Sequence, residues 1–364
     1  MAGLALVGCA LATDRRWLDR HFLPPFFVSR QVYVLVASLV RIALAVLGLA
    51  LASFARPRIG RFLAQVTPGR LLPDLARIFL AVALALGASE LVLRFTFRRS
   101  SEEQPASQVP WRRRDPRLGW VFVPARTGRD IAGGRMIEYA FDSAGYRVRR
   151  PGDSVDPERP TILFTGESIM AGQGLTWEET VPARVEALTG VQSANLAVHG
   201  FATDQSYLRL LDELPRFHRP VAVVALFTPA LFDRNLDEDR PHLGAELVWV
   251  PPKPRWRLAI IANWLVPYRS EEAIERGIVL TRAVLRAMVN LARTRGAVPL
   301  IVVPQFLPED PTERLLRRRI LDETGLPYVW VGLDPSWRLP HDLHPDPRAA
   351  QAMAVAVATH LGMR

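Results

Sequence analysis

Short apolar runs alternating with longer helical patterns between residues 161 and 361 predict an α/β fold, a parallel sheet covered by helices on both faces. Two apolar stretches ahead of it, Gln31 to Phe54 and Leu75 to Leu93, each approach the ~20 residues needed to cross a bilayer core. Between these and the closing helical pattern, the run Thr161-Ile-Leu-Phe-Thr ends in Gly166-Glu167-Ser168. A buried strand that stops at a glycine presents the next residues at the carboxyl edge of the sheet, where open α/β folds place their chemistry.

In chain order, the first segment holds Leu6-Val7-Gly8-Cys9, which superficially resembles a lipoprotein cleavage box. No positive charge precedes it, and its apolar lead of about seven residues lacks the basic n-region of a secretory signal. It reads instead as an interfacial or poorly ordered start. Cys9 is the only cysteine, so no intrachain disulfide can form. The two apolar stretches lack the polar stripe of an amphipathic core helix and read as a membrane anchor over residues 1–98, with spans at about 31–54 and 75–93. Arg41 is costly in a bilayer and is expected to face the partner helix or snorkel, Glu90 being one possible partner. Five arginines lie between the spans (Arg56, Arg58, Arg61, Arg70, Arg77) against four ahead of them (Arg15, Arg16, Arg20, Arg30). That imbalance favours a cytoplasmic connecting loop and places both termini outside the cytoplasm.

Residues 99–114 read as a polar linker and 115–364 as one domain. Ile137 to Asp142 has strand character and Ser143 to Tyr146 is its turn. Strands follow at 161–165, 193–198, 221–227, 298–303 and 327–332, with helices at 178–189, 204–216, 271–294, 311–323 and 347–361. The stretch 229–270, rich in Pro and Trp, breaks this rhythm and reads as an insertion over the carboxyl edge.

Charge narrows the function classes. The net charge is +10, and residues 1–100 carry 13 arginines against four acids, a balance of +9. The remainder is nearly neutral at +1 and shows no basic stripe with interleaved aromatics, which argues against a nucleic-acid partner. The chain contains no Gly-x-Gly-x-x-Gly and no Gly-Lys-Ser/Thr, so no nucleotide cofactor is expected. His and carboxylates do not recur at ligand spacing, so no metal is expected either.

Ser168 becomes a nucleophile only if a histidine can take its proton and an acid can orient that histidine. Asp342 and His344 offer both groups from one segment ahead of the last helix. Each has a plainer alternative: Ser168 or Asp342 as a helix cap, His344 as a turn residue before Pro345. His199 and His341 read as local loop residues, and Glu167 as support for its loop.

Over residues 115–362 these blocks resemble the SGNH (GDSL-type) hydrolases. Gly166-Glu167-Ser168 with Gly172 stands where the family has Gly-Asp-Ser and a glycine. Asn195 to Gln205, containing His199-Gly200, resembles the loop whose glycine N–H helps form the oxyanion hole. Asp342-Leu-His344-Pro345 resembles the acid-plus-histidine block; His341 occupies the family's usual acid position, and Asp342 lies one residue closer, as in membrane-anchored variants reading Asp-Gly-His. The third block departs: Ala230 falls where the oxyanion-donating Asn is expected and Leu231 where an Asp usually follows. Asn235 would replace that donor only if its loop turns back. The resemblance implies a three-layer α/β/α domain and a Ser168–His344–Asp342 triad with an oxyanion hole of Ser168 and Gly200 N–H. It implies a serine esterase acting at the cell envelope on O-acyl esters of carbohydrate or lipid. The alternatives are an O-acyltransferase modifying an envelope polysaccharide, and an inactive binding module because of Ala230. The oligomeric state is not set by the sequence.

Overall fold

Apolar residues with no polar face form long helices at the N-terminus. The computed structural model describes residues 2–21, 30–55, 58, 60–61, 68–96, 111–253, 255–265 and 268–363. The chain divides into two units: residues 1–24, 28–98 and 255–271, and residues 25–27, 99–254 and 272–364. Residues 99–110 of the expected 99–114 linker lie outside the described residues.

In the first unit, helices α1 (Ala2–Ala12), α2 (Arg15–His21), α3 (Arg30–Ala50) and α4 (Pro68–Thr96) follow one another, and α3 continues as a π-helical turn over Leu51–Ala55. Val34–Phe54 and Leu72–Thr96 are long and apolar enough to cross a membrane. The segment around Cys9 is helical rather than irregular. It packs on α3 at a point where a Cβ on Gly3 would stand 2.5 Å from the Gly48 carbonyl oxygen, the close approach that small residues permit between apolar helices. Arg41 does not pair with Glu90; its Nε donates to the Ala10 carbonyl at 3.0 Å. Glu90 instead accepts from Arg94 at 3.1 Å and from the Leu258 backbone N–H at 3.1 Å. It thus meets the first turn of the Arg257–Leu265 helix, where orphan N–H groups need an acceptor. Residues 255–271 therefore cluster with the apolar N-terminal helices and not, as the sequence suggests, with the rest of residues 115–364.

The second unit is built on an eight-stranded sheet. After the β1–β2 hairpin (Arg112–Asp115 and Gly119–Phe122) come β3 (Thr127–Ala132), β4 (Arg135–Phe141) and β5 (Arg147–Val148). The parallel core is β6 (Thr161–Thr165), β7 (Gln192–Asn195), β8 (Pro220–Leu226), β11 (Val298–Gln305) and β12 (Tyr328–Gly332). Small hairpins are β9 (His242–Leu243) with β10 (Trp249–Val250) and β13 (Arg338–Leu339) with β14 (Asp342–Pro345). The sheet order is β12-β11-β8-β6-β7-β5-β4-β3. The expected parallel sheet is thus extended by three antiparallel lead-in strands, and β1 begins inside what reads as linker.

Helices α5 (Ser168–Ala171), α6 (Val181–Thr189), α7 (Thr203–Glu213), α8 (Pro229–Arg234), α9 (Glu271–Thr294), α10 (Pro311–Ile320) and α11 (Pro347–His360) complete the elements. The chain leaves β6 towards β7 on one side and then crosses to β8 on the other. Right-handed crossovers therefore put α6 on one face and α7, α9 and α10 on the opposite face. α11 packs against α6 and closes the first layer. This is the three-layer α/β/α architecture that the SGNH resemblance implies. The reversal of direction around β6 is a topological switch point, and the residues after β6 emerge at the carboxyl edge there.

Candidate active site

All five residues of β6 are buried, and its end is shaped by Gly166. At φ +152° a Cβ there would stand 2.8 Å from Leu226 Cβ, so glycine is required for the close passage beside β8. Glu167 is the N-cap of α5, its side chain accepting from Ile169 N. Ser168 is thus the first helical residue and not the cap, which removes its plainer role. It is buried, with 4% of its surface exposed.

β14 brings the partners from 176 residues away. Ser168 Oγ lies 2.8 Å from His344 Nε2, and His344 Nδ1 lies 2.5 Å from Asp342 Oδ1. The alternation of a strand explains the pairing: residues two apart point to one face, so Asp342 and His344 meet while Leu343 turns away. Asp342 has no capping role, because Asp346 caps α11 by accepting from the Arg348 and Ala349 N–H groups at 2.8 and 3.1 Å. His341 sits in the exposed turn at φ +57° and takes no part.

The hydrogen bond from His344 and its charge hold the Asp342 carboxyl below the usual carboxylate range, against some desolvation. Burial pushes Glu167 up, but the Arg234 guanidinium, the Ser168 hydroxyl and His344 together bring it below its ordinary value. Both side chains are carboxylates whose folded values are depressed. The stability they contribute is present above the unfolded carboxylate range and is lost as pH falls through the lowered folded values.

The β7–α7 loop is tied to the end of β6. Leu196 N donates to the Phe164 carbonyl at 2.8 Å and Val198 N to the Gly166 carbonyl at 3.2 Å. Asn195 fixes the other side of the turn that holds Ser168, its Nδ2 donating to the Met170 carbonyl at 3.1 Å. Gly200 follows in this loop, and neither its N–H nor that of Ser168 is spent on another backbone group among the described residues. His199 is buried and its ring meets Phe122 and Tyr139 edge-on. Desolvation first, then the nearby Arg112, Arg147 and His344 charges, drive its pKa well below the ordinary value. A neutral ring packed this way is structural, and the His199 carbonyl receives the Trp120 indole N–H at 2.8 Å.

Asn235 does not complete the oxyanion hole. Its Oδ1 accepts from the Thr203 and Asp204 N–H groups at 3.0 and 3.3 Å, and its Nδ2 donates to Thr281 Oγ1 at 2.8 Å. The amide is held between the first turn of α7 and α9. Ala230, a position without a donor side chain, lies in the first turn of α8 behind Pro229.

Several residues at the site carry no local sequence signal. Arg147, fully buried in β5, donates to the carbonyls of Ala171, Gly172 and Leu175 at 2.7, 2.6 and 2.6 Å. Its guanidinium lies 4.3 Å from the Tyr139 ring centre, and the Tyr139 hydroxyl accepts from Gly174 N at 2.9 Å. The lead-in strands therefore pin the turn that follows Ser168. Arg147→Met should strand three carbonyls and cost on the order of 3 kcal/mol, given ~1–3 kcal/mol per buried group left unpaired. Chemical denaturation checks this; a midpoint equal to wild type would mean that the turn holds without Arg147.

No protein-family profile and no curated protein matches the chain. Among solved structures the chain is similar to esterases. A psychrotrophic esterase from Pseudoalteromonas is 14% identical, covering 56% of this chain and 97% of its own, with a TM-score of 0.35. An acetyl xylan esterase from Butyrivibrio proteoclasticus is 10% identical over 58% and 67% of the two chains, with a TM-score of 0.36. A member of the lipolytic G-D-S-L family from Veillonella parvula is 10% identical over 55% and 96%, with a TM-score of 0.34. At these identities and scores, the roles of individual residues rest on the geometry of the site itself.

Proposed function

We propose that this protein is a membrane-anchored serine esterase of the SGNH (GDSL) type, acting on O-acyl esters of carbohydrate or lipid at the cell envelope. The observation that carries this reading is the unbroken chain Ser168 Oγ–His344 Nε2–Nδ1–Asp342, assembled from the two ends of the α/β domain at the switch point of its sheet. In the reaction His344 takes the Ser168 proton as Oγ attacks the ester carbonyl. Asp342 holds the Nδ1–H tautomer and stabilises the imidazolium. The Ser168 and Gly200 N–H groups receive the oxyanion, and water or a sugar hydroxyl then resolves the acyl-enzyme. The intact hydrogen-bonded arrangement weighs against the inactive reading despite Ala230.

Labelling of the purified protein with a fluorophosphonate probe tests the nucleophile, and acid release from short-chain acyl esters tests turnover. Faster transfer to an added sugar acceptor than to water would change the reading to an acyltransferase. The absence of both labelling and turnover would abandon it.

The envelope location rests on the arginines between the two apolar helices. A reporter that requires export should be active when fused after Arg364, and one that requires the cytoplasm should be active when inserted near Pro68. The reverse pattern would place the domain inside the cell and remove envelope polysaccharides as substrates.

A further inference from the structure

Two departures from the SGNH pattern, Glu167 for Asp and Ala230 for Asn, meet at one side chain. Arg234 closes α8, one turn after Ala230, so that it shares the helix face on which the missing amide would stand. One terminal nitrogen of its guanidinium donates to Glu167 Oε2 at 3.1 Å and to the Phe201 carbonyl at 3.1 Å. Glu167 precedes Ser168 in the chain, and Phe201 follows Gly200. The guanidinium therefore bridges the two peptide segments whose N–H groups serve the oxyanion. Its Nε and its other terminal nitrogen are bound to no protein group among the described residues, and the side chain is 23% exposed. The neighbouring Arg240 is differently placed. It is spent on the Gly200 carbonyl at 2.9 Å, Gln205 Oε1 at 3.2 Å and Asp237 at 3.6 Å.

We propose that Arg234 is a catalytic residue of this protein, donating to the oxyanion in place of the side-chain amide absent at Ala230, with Glu167 as its built-in counter-ion. The proposal rests on the esterase reading above. The buried Glu167 side chain is long enough to serve both neighbours, since its Oε2 reaches the Ser168 hydroxyl and the Arg234 guanidinium together. In the resting site the Ser168 hydroxyl donates to Glu167 Oε2 with His344 Nε2 2.8 Å from the same hydroxyl oxygen, so its single proton turns to His344 for the reaction. When Oγ bonds to the ester carbonyl carbon, the hydroxyl proton passes to His344 Nε2 and the carbonyl π pair moves to oxygen. That oxygen takes the Ser168 and Gly200 N–H groups and the free N–H groups of Arg234. On collapse the C=O re-forms, and the leaving alkoxide takes the proton from His344. Glu167 stays ionised throughout and keeps the guanidinium in place. A charged donor aimed at a developing negative charge in a largely buried site is stronger than a neutral amide.

The test uses the full-length protein in detergent, with a soluble short-chain acyl ester and the fluorophosphonate labelling rate as parallel readouts. Arg234→Ala should lower kcat by ~10²-fold, the usual cost of one oxyanion donor, with KM within a few-fold of wild type. Added millimolar guanidinium should restore part of the lost kcat in that variant and none in wild type. A role as mere counter-ion to Glu167 makes a different forecast: in a Glu167→Gln background, removing Arg234 would cost no further activity and guanidinium would rescue nothing. That result, or full kcat in Arg234→Ala, overturns the proposal. If Arg234→Ala shows no cooperative unfolding transition, Arg234→Lys is read in its place. A lower kcat at unchanged KM and thermal midpoint then supports the proposal, and an unchanged kcat overturns it. Turnover that survives Ser168→Ala would instead remove the esterase reading, which separates the two failures.

Discussion

Ser168→Ala should abolish fluorophosphonate labelling and lower ester turnover by ~10⁶-fold, the scale seen when a triad nucleophile is removed and only the oxyanion hole and binding remain. The reason is geometric. Ser168 Oγ lies 2.8 Å from His344 Nε2, a distance at which its proton can pass to the ring. The fold should survive, because Glu167 and not Ser168 caps α5. The lost hydroxyl also donates to Glu167, so a drop of about 1 kcal/mol in stability is expected from that hydrogen bond. Intact-protein mass spectrometry after probe treatment, beside a thermal melt, reads both effects. A phosphonate adduct on the variant would remove Ser168 as nucleophile.

Asp342→Asn should lower kcat by ~10⁴-fold with little change in KM or stability, as expected when the orienting acid becomes an amide. In the structure the Nδ1 side of His344 faces the carboxylate at 2.5 Å, which leaves Nε2 as the acceptor for the Ser168 proton. An amide at 342 can turn its NH2 to Nδ1 and so favour the tautomer that carries its proton on Nε2, where it cannot act as base. It also removes the negative charge that stabilises the imidazolium. Because Asp346 supplies the cap of α11, helix content should not change. A kcat within tenfold of wild type would mean that another acid orients His344, with Glu167 the carboxylate already in contact with the triad.

Much of this arrangement is legible in the residues. The run Thr161–Thr165 reads as a strand because every one of its five residues suits burial, and the glycine behind it marks where the chain must turn close to a neighbour. The helices over 271–294 and 347–360 follow from apolar positions at helical spacing and, for the latter, from Asp346-Pro347 at its start. Ser168, Asp342 and His344 are recognisable as a set because their chemistry needs one another and their order matches a sheet that brings its two ends together.

Other features are invisible to local pattern. Arg147 looks like any strand arginine, and only the sheet order, which lays β5 beside β7, places it under the turn that follows Ser168. Asn235 reads as a candidate oxyanion donor from its position in the chain, yet its amide oxygen accepts from the first turn of α7 and its nitrogen donates to Thr281 of α9. Residues 255–271 read in part as the insertion and instead gather with the apolar N-terminal helices, where Glu90 meets the first turn of their helix. Sequence alone determined the strands and helices of the parallel core, the two apolar helices and the choice of Ser168, His344 and Asp342 as candidates, because burial periodicity and chemical type are local properties. The tertiary structure decided which carbonyls the arginines hold, which amide is already spent and which charge stands beside the missing donor. Those depend on contacts between segments far apart in the chain, where a side chain's partners are set by the packing of the sheet and not by its neighbours in sequence.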